Sequence, residues 1–313
     1  MPARQGFTGI NLLQQALQPD VLRRAWVTIA ENDGIPGVDS ISIQRWRRNW
    51  EERLVELAKS VRSNTYQPHK LRLRHIPKRK PGEFRTLRIP TVTDRVLQRA
   101  VADVLMPFYE ARFLDCSYGY RPGRSLKQAV QRILIHRAND RTHVLDADID
   151  AFFDSVDHEL LLRFLQADLP DDSLLPLISL WLEKSHGSSA ASRGIPMGSP
   201  LSPLLANVFL HRLDLSATGL GYHLVRYADD FIILEESEAE ARLAYTDVQA
   251  ILQHLQLSYE PQKTRLTSFA EEFTFLGVHF TPDTYRYSWE DKQIEVEGNE
   301  VDALFSDFGP EYD

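Results

Sequence analysis

The sequence has almost no cysteine and no long apolar run. Its 313 residues include one cysteine, Cys116, so internal disulfides and a cysteine-based zinc site are excluded. No stretch of about eighteen apolar residues argues for a transmembrane helix, and the N-terminal residues lack the apolar centre of a signal peptide. Repeats, low-complexity segments and a clear interdomain linker are also absent. We therefore expect a cytoplasmic protein, without a membrane partner, of one large domain or two to three subdomains.

The formal net charge of −8 at pH 7 argues against a nucleic-acid partner until its distribution is considered. Residues 1–140 contain 25 Lys and Arg against 13 Asp and Glu, a balance of +12, whereas the rest of the chain contains 11 and 31, a balance of −20. This asymmetry indicates a basic, phosphate-binding half joined to an acidic half that suits cations. Residues 290–313 hold nine of the acids, and a solvated surface is the simpler explanation for those.

Hydrophobic periodicity divides the chain into helices and short strands. Apolar residues at helical spacing predict helices within 10–62 and over 93–113, 125–138, 157–167, 173–184, 201–213 and 238–255. Alternating or β-rich runs predict strands at 71–77, 84–89, 143–149, 223–227, 231–234, 273–280 and 285–289, with a further short strand around Glu295. The first two strands would form a hairpin with a basic tip. The mixture predicts an α+β fold of helices and hairpins on a small antiparallel sheet.

Two segments each bring acidic residues to the end of an apolar strand. One runs over Val144–Asp150 and contains Asp148, and the other runs over Val225–Ile233 and contains Asp229 and Asp230. Turns favour aspartate, but an Asp-Asp pair between Tyr-Ala and Phe-Ile-Ile is unusual in a turn. Close carboxylates repel each other unless a cation neutralises them, and oxygen ligands suit Mg²⁺. Spacing alone therefore favours a two-metal phosphoryl-transfer site and an ordinary acidic turn about equally.

The segment Tyr227–Phe231, which reads YADDF, resembles the palm signature of reverse transcriptases of the group II intron and retron lineage. Over about residues 10–280 the chain repeats the motif order of that family. The resembling segments are Ile76–Lys78 with Arg85–Pro90, Asp94–Ala100, Ser117–Ser125, Ala147–Asp154, Gly194–Asn207, Leu257–Thr267 and Phe275–Phe280. The resemblance implies a polymerase right-hand fold, with helical and hairpin fingers, an antiparallel-sheet palm and a thumb that is truncated or absent. It places the fingers and part of the palm in 1–140, the palm with its catalytic motifs in 141–280, and a short acidic C-terminal extension in 281–313.

The resemblance also implies a catalytic centre. Asp148, Asp229 and Asp230 are the implied catalytic acids, and with Ile149 they form the implied site for Mg²⁺, with Mn²⁺ as the alternative ion. Lys263 resembles the basic residue that protonates the departing pyrophosphate, and an ordinary surface lysine explains it equally well.

Five residues are implied to bind the incoming deoxynucleotide. Lys78 and Arg85 flank the tip of the predicted hairpin and would bind the triphosphate, since arginine offers bidentate contacts and lysine a point charge; a solvated basic loop is the alternative. Phe153 would exclude a 2′-hydroxyl by its bulk, unless it is a core residue. Met197 and Gly198 lie in a loop of small residues that lets a backbone approach the nucleotide.

Further residues are implied to contact the nucleic acid or to cap a helix. Arg121 and Arg124 would contact template phosphates, and Gly277 lies in the segment that resembles the primer grip. We expect Asp154 and Asp157 to cap the helix that follows them. The implied partners are an RNA template, a DNA or RNA primer and deoxynucleoside triphosphates.

The sequence departs from the family at Met197, where glutamine is usual, and methionine loses the amide hydrogen bonds. Met197 and the short acidic ending resemble CRISPR-associated reverse transcriptases, which suggests a CRISPR integrase complex as a partner and a role in spacer acquisition or other prokaryotic defence. The alternatives are template-independent or protein-primed DNA synthesis in antiviral defence, and a non-catalytic nucleic-acid-binding subunit of a larger complex.

Overall fold

The structure, a computed structural model, describes residues 9–77, 82, 84–184, 192–289 and 292–300. Its helices are α1 (Leu12–Ala16), α2 (Pro19–Glu31), α3 (Ile43–Arg47), α4 (Trp50–Arg62), α5 (Val92–Glu110), α6 (Leu126–Ala138), α7 (Phe152–Ser155), α8 (His158–Asp168), α9 (Leu175–Lys184), α10 (Ser202–Gly219) and α11 (Glu238–His254). Its strands are β1 (Arg72–Pro77), β2 (Phe84–Ile89), β3 (His143–Ala147), β4 (Leu224–Tyr227), β5 (Asp230–Glu235), β6 (Arg265–Ser268), β7 (Phe273–Phe275), β8 (Val278–Phe280), β9 (Thr284–Trp289) and β10 (Lys292–Glu297).

The predicted α+β fold is confirmed, and most predicted elements occur with shifted ends. The single strand predicted at 273–280 is wrong. A tight turn at Leu276 and Gly277, whose φ angles are 50° and 76°, divides this segment into β7 and β8. The predicted final hairpin is therefore a four-stranded antiparallel sheet with the order β10-β9-β8-β7. Among the described residues, no helix combines the length and the apolar character needed to cross a bilayer.

The chain divides into two compact units that interleave in sequence. The first contains the described residues up to Ala111 together with Phe153–Val208, and the second contains Arg112–Phe152 together with the described residues from Phe209 onward. The domain limits expected from the resemblance stay a prediction.

The first unit is mainly helical. Helices α2, α4 and α5 contact one another, and the buried rings of Trp26 and Trp46 lie 4.4 Å apart between centroids. The indole of Trp46 also donates to the hydroxyl of Thr93 on α5 at 3.0 Å. Strands β1 and β2 form the predicted antiparallel hairpin. Most residues of this hairpin are exposed, so it is available for contacts outside the unit's core.

The second unit contains the sheet that carries the acidic segments. Its strand order is β4-β5-β3-β6, and every pair in it is antiparallel. Strands β3, β4 and β5 are almost entirely buried, because helices α6 and α11 pack against them. The central strands therefore have little freedom, and the residues at their ends are held in defined positions.

The C-terminal sheet shares a hydrophobic core with α6 and with strands β3 to β5. The rings of Phe273 and Phe280 stack with centroids 5.1 Å apart. On α6, the guanidinium of Arg137 donates to the carbonyls of Thr281 at 2.9 Å and Thr284 at 3.0 Å. Apolar burial and these charge-assisted hydrogen bonds fix β7 to β10 within the second unit.

Candidate active site

Pairing within the first sheet of the second unit brings the acidic segments together. Ala147 at the end of β3 pairs with Phe231 on β5, so Asp148 and Asp230 are the next residues across the two strands. Tyr227 pairs with Asp230, which leaves Ala228 and Asp229 as a two-residue turn between β4 and β5. The backbone at Asp148 is fixed as well, because the carbonyl of Asp148 accepts a hydrogen bond from the amide of Glu260 at 2.9 Å.

A cleft of about 360 Å³ opens at this end of the sheet. It is lined by Asp146, Ala147, Asp148, Asp230, Gln262, Lys263, Arg265, Thr274, Phe275 and Leu276. The predicted catalytic residues Asp148, Asp230 and Lys263 therefore face one space, and the segment predicted to be the primer grip lies at its edge. The predicted nucleic-acid residue Gly277 follows Leu276 in the exposed turn between β7 and β8.

Negative charge is concentrated in this cleft. The pKa of Asp230 is raised to about 7, first because the cleft desolvates its carboxyl group and then because Asp229 and Asp148 are negatively charged; Lys263 opposes the shift. Like-charge repulsion of this kind is relieved when a cation binds. The site therefore favours positive charge beyond what Lys263 supplies.

Lys263 forms an ion pair with Asp148. The lysine side chain is 68% exposed and the aspartate 11%. The pKa of Lys263 is raised, mainly by its hydrogen bond to Asp148, so the ammonium form is the stable one at neutral pH. The prediction that Lys263 belongs to the catalytic group has this contact in its favour.

The carboxylate set fits a hard divalent cation, because oxygen ligands and unrelieved negative charge are what Mg²⁺ selects. Within the described ranges, no group of three or more His, Cys, Asp or Glu side chains has the arrangement of a ready metal site. Mg²⁺ commonly takes one or two carboxylates together with water and substrate phosphates, so a preformed cage is not required. Ile149, predicted as part of the metal site, is buried and forms a bridge with Tyr259.

The predicted nucleotide-binding residues that are described lie in the first unit. Phe153 is half-buried, and its carbonyl accepts the amide of Ile195 at 2.7 Å. The carbonyl of Met197 accepts the amide of Arg88 at 2.7 Å. Gly198 has a φ of 111°, and a Cβ there would lie 3.1 Å from the Arg88 carbonyl oxygen, so a side chain would be strained.

The triphosphate-binding pair is only partly described. Arg85 is exposed on β2, opposite Ile76, whereas Lys78 lies outside the described residues. Both roles stay predictions.

The prediction that Asp154 caps the following helix is wrong, because Asp154 lies inside α7 and the N-cap of α8 is Asp157. The Asp154 carboxylate accepts from the guanidinium of Arg88 at 2.9 Å. Asp157 does cap α8, since it accepts the amide of Leu160 at 2.9 Å. No contact of Arg88 was predicted from the sequence. Its place at a polar position of a strand that alternates polar and apolar residues was the available signal.

The two arginines predicted to contact template phosphates differ. Arg121 is buried and donates to the carbonyls of Leu114 at 2.6 Å and Ser117 at 2.7 Å, so it holds its own loop. Arg124 is more accessible and pairs with Asp115 at 2.5 Å. The phosphate role stays a prediction for both, and this geometry favours Arg124.

Comparison with known proteins identifies the family of the chain. A family profile described as "Reverse transcriptase (RNA-dependent DNA polymerase)" matches residues 76–280. Protein YkfC of Escherichia coli strain K12 is 27% identical over 322 residues, which cover 88% of this chain and 84% of that protein. The group II intron-encoded protein LtrA of Lactococcus lactis subsp. cremoris is 32% identical over 210 residues, or 65% of this chain, and the match spans 34% of LtrA.

The fold is similar to that of a solved telomerase structure. The telomerase of Candida albicans, solved in complex with a telomeric RNA fragment, has a TM-score of 0.51 at 13% identity and covers 76% of this chain and 48% of that one. A partial Cas6-RT-Cas1–Cas2 complex has a TM-score of 0.47 at 30% identity and covers 79% and 42%. The polymerase motifs, the palm-like sheet and the profile match agree, and the chain belongs to the reverse transcriptase (RNA-dependent DNA polymerase) family.

Proposed function

We propose that the chain is an RNA-directed DNA polymerase that extends a primer with deoxynucleotides by two-metal phosphoryl transfer. One observation carries the proposal: Asp148, Asp230 and Lys263 line a single cleft, where the charge of Asp229 is also felt. Membership of the reverse transcriptase family supports the polymerase class, and the oxygen-rich donor set supports the divalent cations.

Asp148, Asp229 and Asp230 would hold the cations. The chemistry that divalent cations would supply there is activation of the primer 3′-hydroxyl and neutralisation of charge on the leaving pyrophosphate. Asp148 would be a ligand once its ion pair with Lys263 opens. The exposed, protonated ammonium of Lys263 is then available to give a proton to the pyrophosphate.

A separate group of residues would select the nucleotide. The ring of Phe153 would stand against the sugar and exclude a 2′-hydroxyl, and Arg85 with Lys78 would bind the triphosphate. Met197 and Gly198 would bring backbone close to the nucleotide, since the loop they belong to is held against Arg88 on β2.

The metal assignment is tested by primer extension. Purified wild type, given an RNA template, an annealed DNA primer, deoxynucleotides and Mg²⁺, is expected to extend the primer, and Asp229→Asn to lose at least about a thousandfold in rate, or about 4 kcal/mol. Asp140→Asn is the matched control, since Asp140 lies in an exposed turn with a φ of 60° that asparagine tolerates. Equal extension by Asp229→Asn and wild type would refute the assignment.

The sugar selection is tested separately with Phe153→Val. A smaller side chain is expected to admit ribonucleotides, which would raise their incorporation relative to deoxynucleotides by about tenfold or more. Phe164→Val, a half-buried phenylalanine of α8, is the control for loss of an aromatic ring. Unchanged discrimination in Phe153→Val would remove the steric role.

Other outcomes of the same assays separate the alternatives. Product made by the purified chain without template or primer would favour template-independent or protein-primed synthesis. Inactivity with every metal and template would favour a non-catalytic binding subunit.

We propose a role in CRISPR spacer acquisition or other prokaryotic defence on the basis of Met197, which resembles the residue of CRISPR-associated enzymes. Co-purification with a CRISPR integrase from the native host would support the CRISPR setting. Template choice restricted to one structured RNA would argue for a different system.

A further inference from the structure

A fully buried ion pair lies next to the acidic turn in the second unit. Arg226 on β4 and Asp214 on α10 are both 0% exposed. The Nε of Arg226 donates to Oδ1 of Asp214 at 2.7 Å, and Nη2 donates to Oδ2 at 2.6 Å. This bidentate arrangement fixes the plane of the guanidinium.

Two further N–H groups of Arg226 reach the turn and a neighbouring segment. Nη1 donates to the carbonyl of Ala228 at 2.8 Å, and Nη2 donates to the hydroxyl of Ser117 at 2.8 Å. The backbone is pinned too, since the amide of Arg226 donates to the carbonyl of Cys116 at 2.8 Å and its carbonyl accepts the amide of Tyr118 at 2.9 Å. One side chain thus joins a helix, a loop and the residue directly before Asp229.

Ala228 needs such support, because its φ is 57°. The left-handed region is unfavourable for residues with a Cβ, and a two-residue hairpin turn with positive φ at its first position favours glycine there. The turn is also confined, since a Cβ on Gly119 would lie 2.6 Å from the amide nitrogen of Ala228. The chain therefore holds a strained backbone at the residue that precedes a catalytic acid.

A buried ion pair is a poor means of adding stability, because the cost of desolvating both charges offsets their attraction. Burial opposes the charge of Arg226, and Asp214, with a smaller contribution from Asp229, keeps the pKa of the guanidinium above its ordinary value. The guanidinium of Arg226 donates to the Ala228 carbonyl, so its role includes holding the turn and not only packing in the core.

We propose that Arg226 and Asp214 are positioning residues, which hold the Ala228-Asp229 turn in its strained conformation and so direct the Asp229 carboxylate at the metal site. The inference rests on the proposed function, in which Asp229 is a metal ligand. Arg226 acts through the backbone of Ala228 and does not touch the substrate.

The test uses Arg226→Lys, Ala228→Gly and the double variant in the full chain. Lysine keeps the charge but lacks the fork, so it cannot serve Asp214 and Ala228 together. Arg226→Lys alone is expected to lose about 10- to 100-fold in Mn²⁺ affinity and in kcat. Its KM for the deoxynucleotide is expected to change little. Mn²⁺ affinity is measured by electron paramagnetic resonance on protein without substrate.

Adding Ala228→Gly is expected to restore most of the Mn²⁺ affinity and kcat, because glycine adopts a positive φ without the support of Arg226. It is not expected to restore the melting temperature lost with the fork. If the role of Arg226 is purely structural, Mn²⁺ affinity and kcat should fall in proportion to the melting temperature. Ala228→Gly should then restore neither of them. Arg242→Lys, in an exposed pair on α11, is the control.

Asp214→Asn provides the same test if Arg226→Lys does not fold, since asparagine keeps the shape and one acceptor. The two proposals can fail separately. A wild type that binds Mn²⁺ but extends no primer contradicts the proposed function, while the Mn²⁺ comparison still decides on the positioning role. An active wild type whose Arg226 and Asp214 variants keep full Mn²⁺ affinity overturns the positioning role alone.

Discussion

Two ion pairs of the second unit each join an aspartate to a basic side chain, and they differ in burial, in geometry and in the basic residue. Arg226 and Asp214 are completely buried and bidentate. Lys263 meets Asp148 through a single ammonium on a flexible stem, and its side chain is 68% exposed. The first pair is suited to hold a backbone in place, whereas the second is suited to open, because water can replace the lysine. We infer that the fixed pair positions one metal ligand and the open pair releases another.

The largest expected effect comes from breaking the fixed pair. Arg226→Ala leaves Asp214 buried without its partner, so the free energy of unfolding should fall by about 3–5 kcal/mol. Urea unfolding followed by circular dichroism measures this loss. Arg242→Ala, which removes an exposed arginine, should change it by less than about 1 kcal/mol. If Arg226→Ala lowers the free energy of unfolding by less than about 1 kcal/mol, the buried pair is not needed for stability.

Breaking the open pair should affect the rate and leave stability nearly unchanged. Lys263→Ala removes the proposed proton donor, so single-turnover incorporation should slow by about a hundredfold. The free energy of unfolding should change by less than about 1 kcal/mol, because the lysine is mostly exposed. Lys59→Ala, an exposed lysine on α4, is the control. An unchanged incorporation rate in Lys263→Ala would show that Lys263 is an ordinary surface lysine without a catalytic role.

Lys263→Arg sharpens the comparison, since it places a planar fork in the open pair. Arginine should hold Asp148 more firmly and compete with the cation. The Mg²⁺ concentration for half-maximal rate should rise about fivefold, the equivalent of about 1 kcal/mol. A titration of the incorporation rate with Mg²⁺ measures it, and an unchanged midpoint would show that Lys263 does not compete for Asp148.

The smallest effect is expected at a third pair in the same sheet. Arg265 on β6 contacts Asp146 on β3 at 3.1 Å, and the arginine is about half exposed. Arg265→Ala should lower the free energy of unfolding by less than about 1 kcal/mol. A loss as large as that of Arg226→Ala in the same urea experiment would show that burial does not order these pairs.

That the acidic segments end two neighbouring strands could be predicted from the sequence, because each acid follows or interrupts a short apolar run; their catalytic role came from the resemblance and not from spacing. The pairing of Ala147 with Phe231, which brings the two segments together, is visible only in the structure. The fixed pair could not be predicted in this way. Asp214 lies on a helix and Arg226 on a strand twelve residues later, and only the tertiary fold buries them together.

Local patterns failed where a tight turn or a distant partner decided the outcome. The apolar run 273–280 predicts one strand, but the positive φ angles of Leu276 and Gly277 turn it back on itself. Asp154 precedes α8 in the sequence, yet it lies inside α7, and its carboxylate contacts Arg88, sixty-six residues away. Neither long-range contact nor backbone strain is visible in residue spacing.

The most direct test of the account is the number of Mn²⁺ ions bound in the complete reaction complex. Electron paramagnetic resonance would count them on protein with RNA template, a DNA primer ending in a dideoxynucleotide and the matching triphosphate. We expect two ions per chain for wild type and for Asp140→Asn, and fewer than two for Asp148→Asn and Asp229→Asn. Equal occupancy in all four proteins would contradict it.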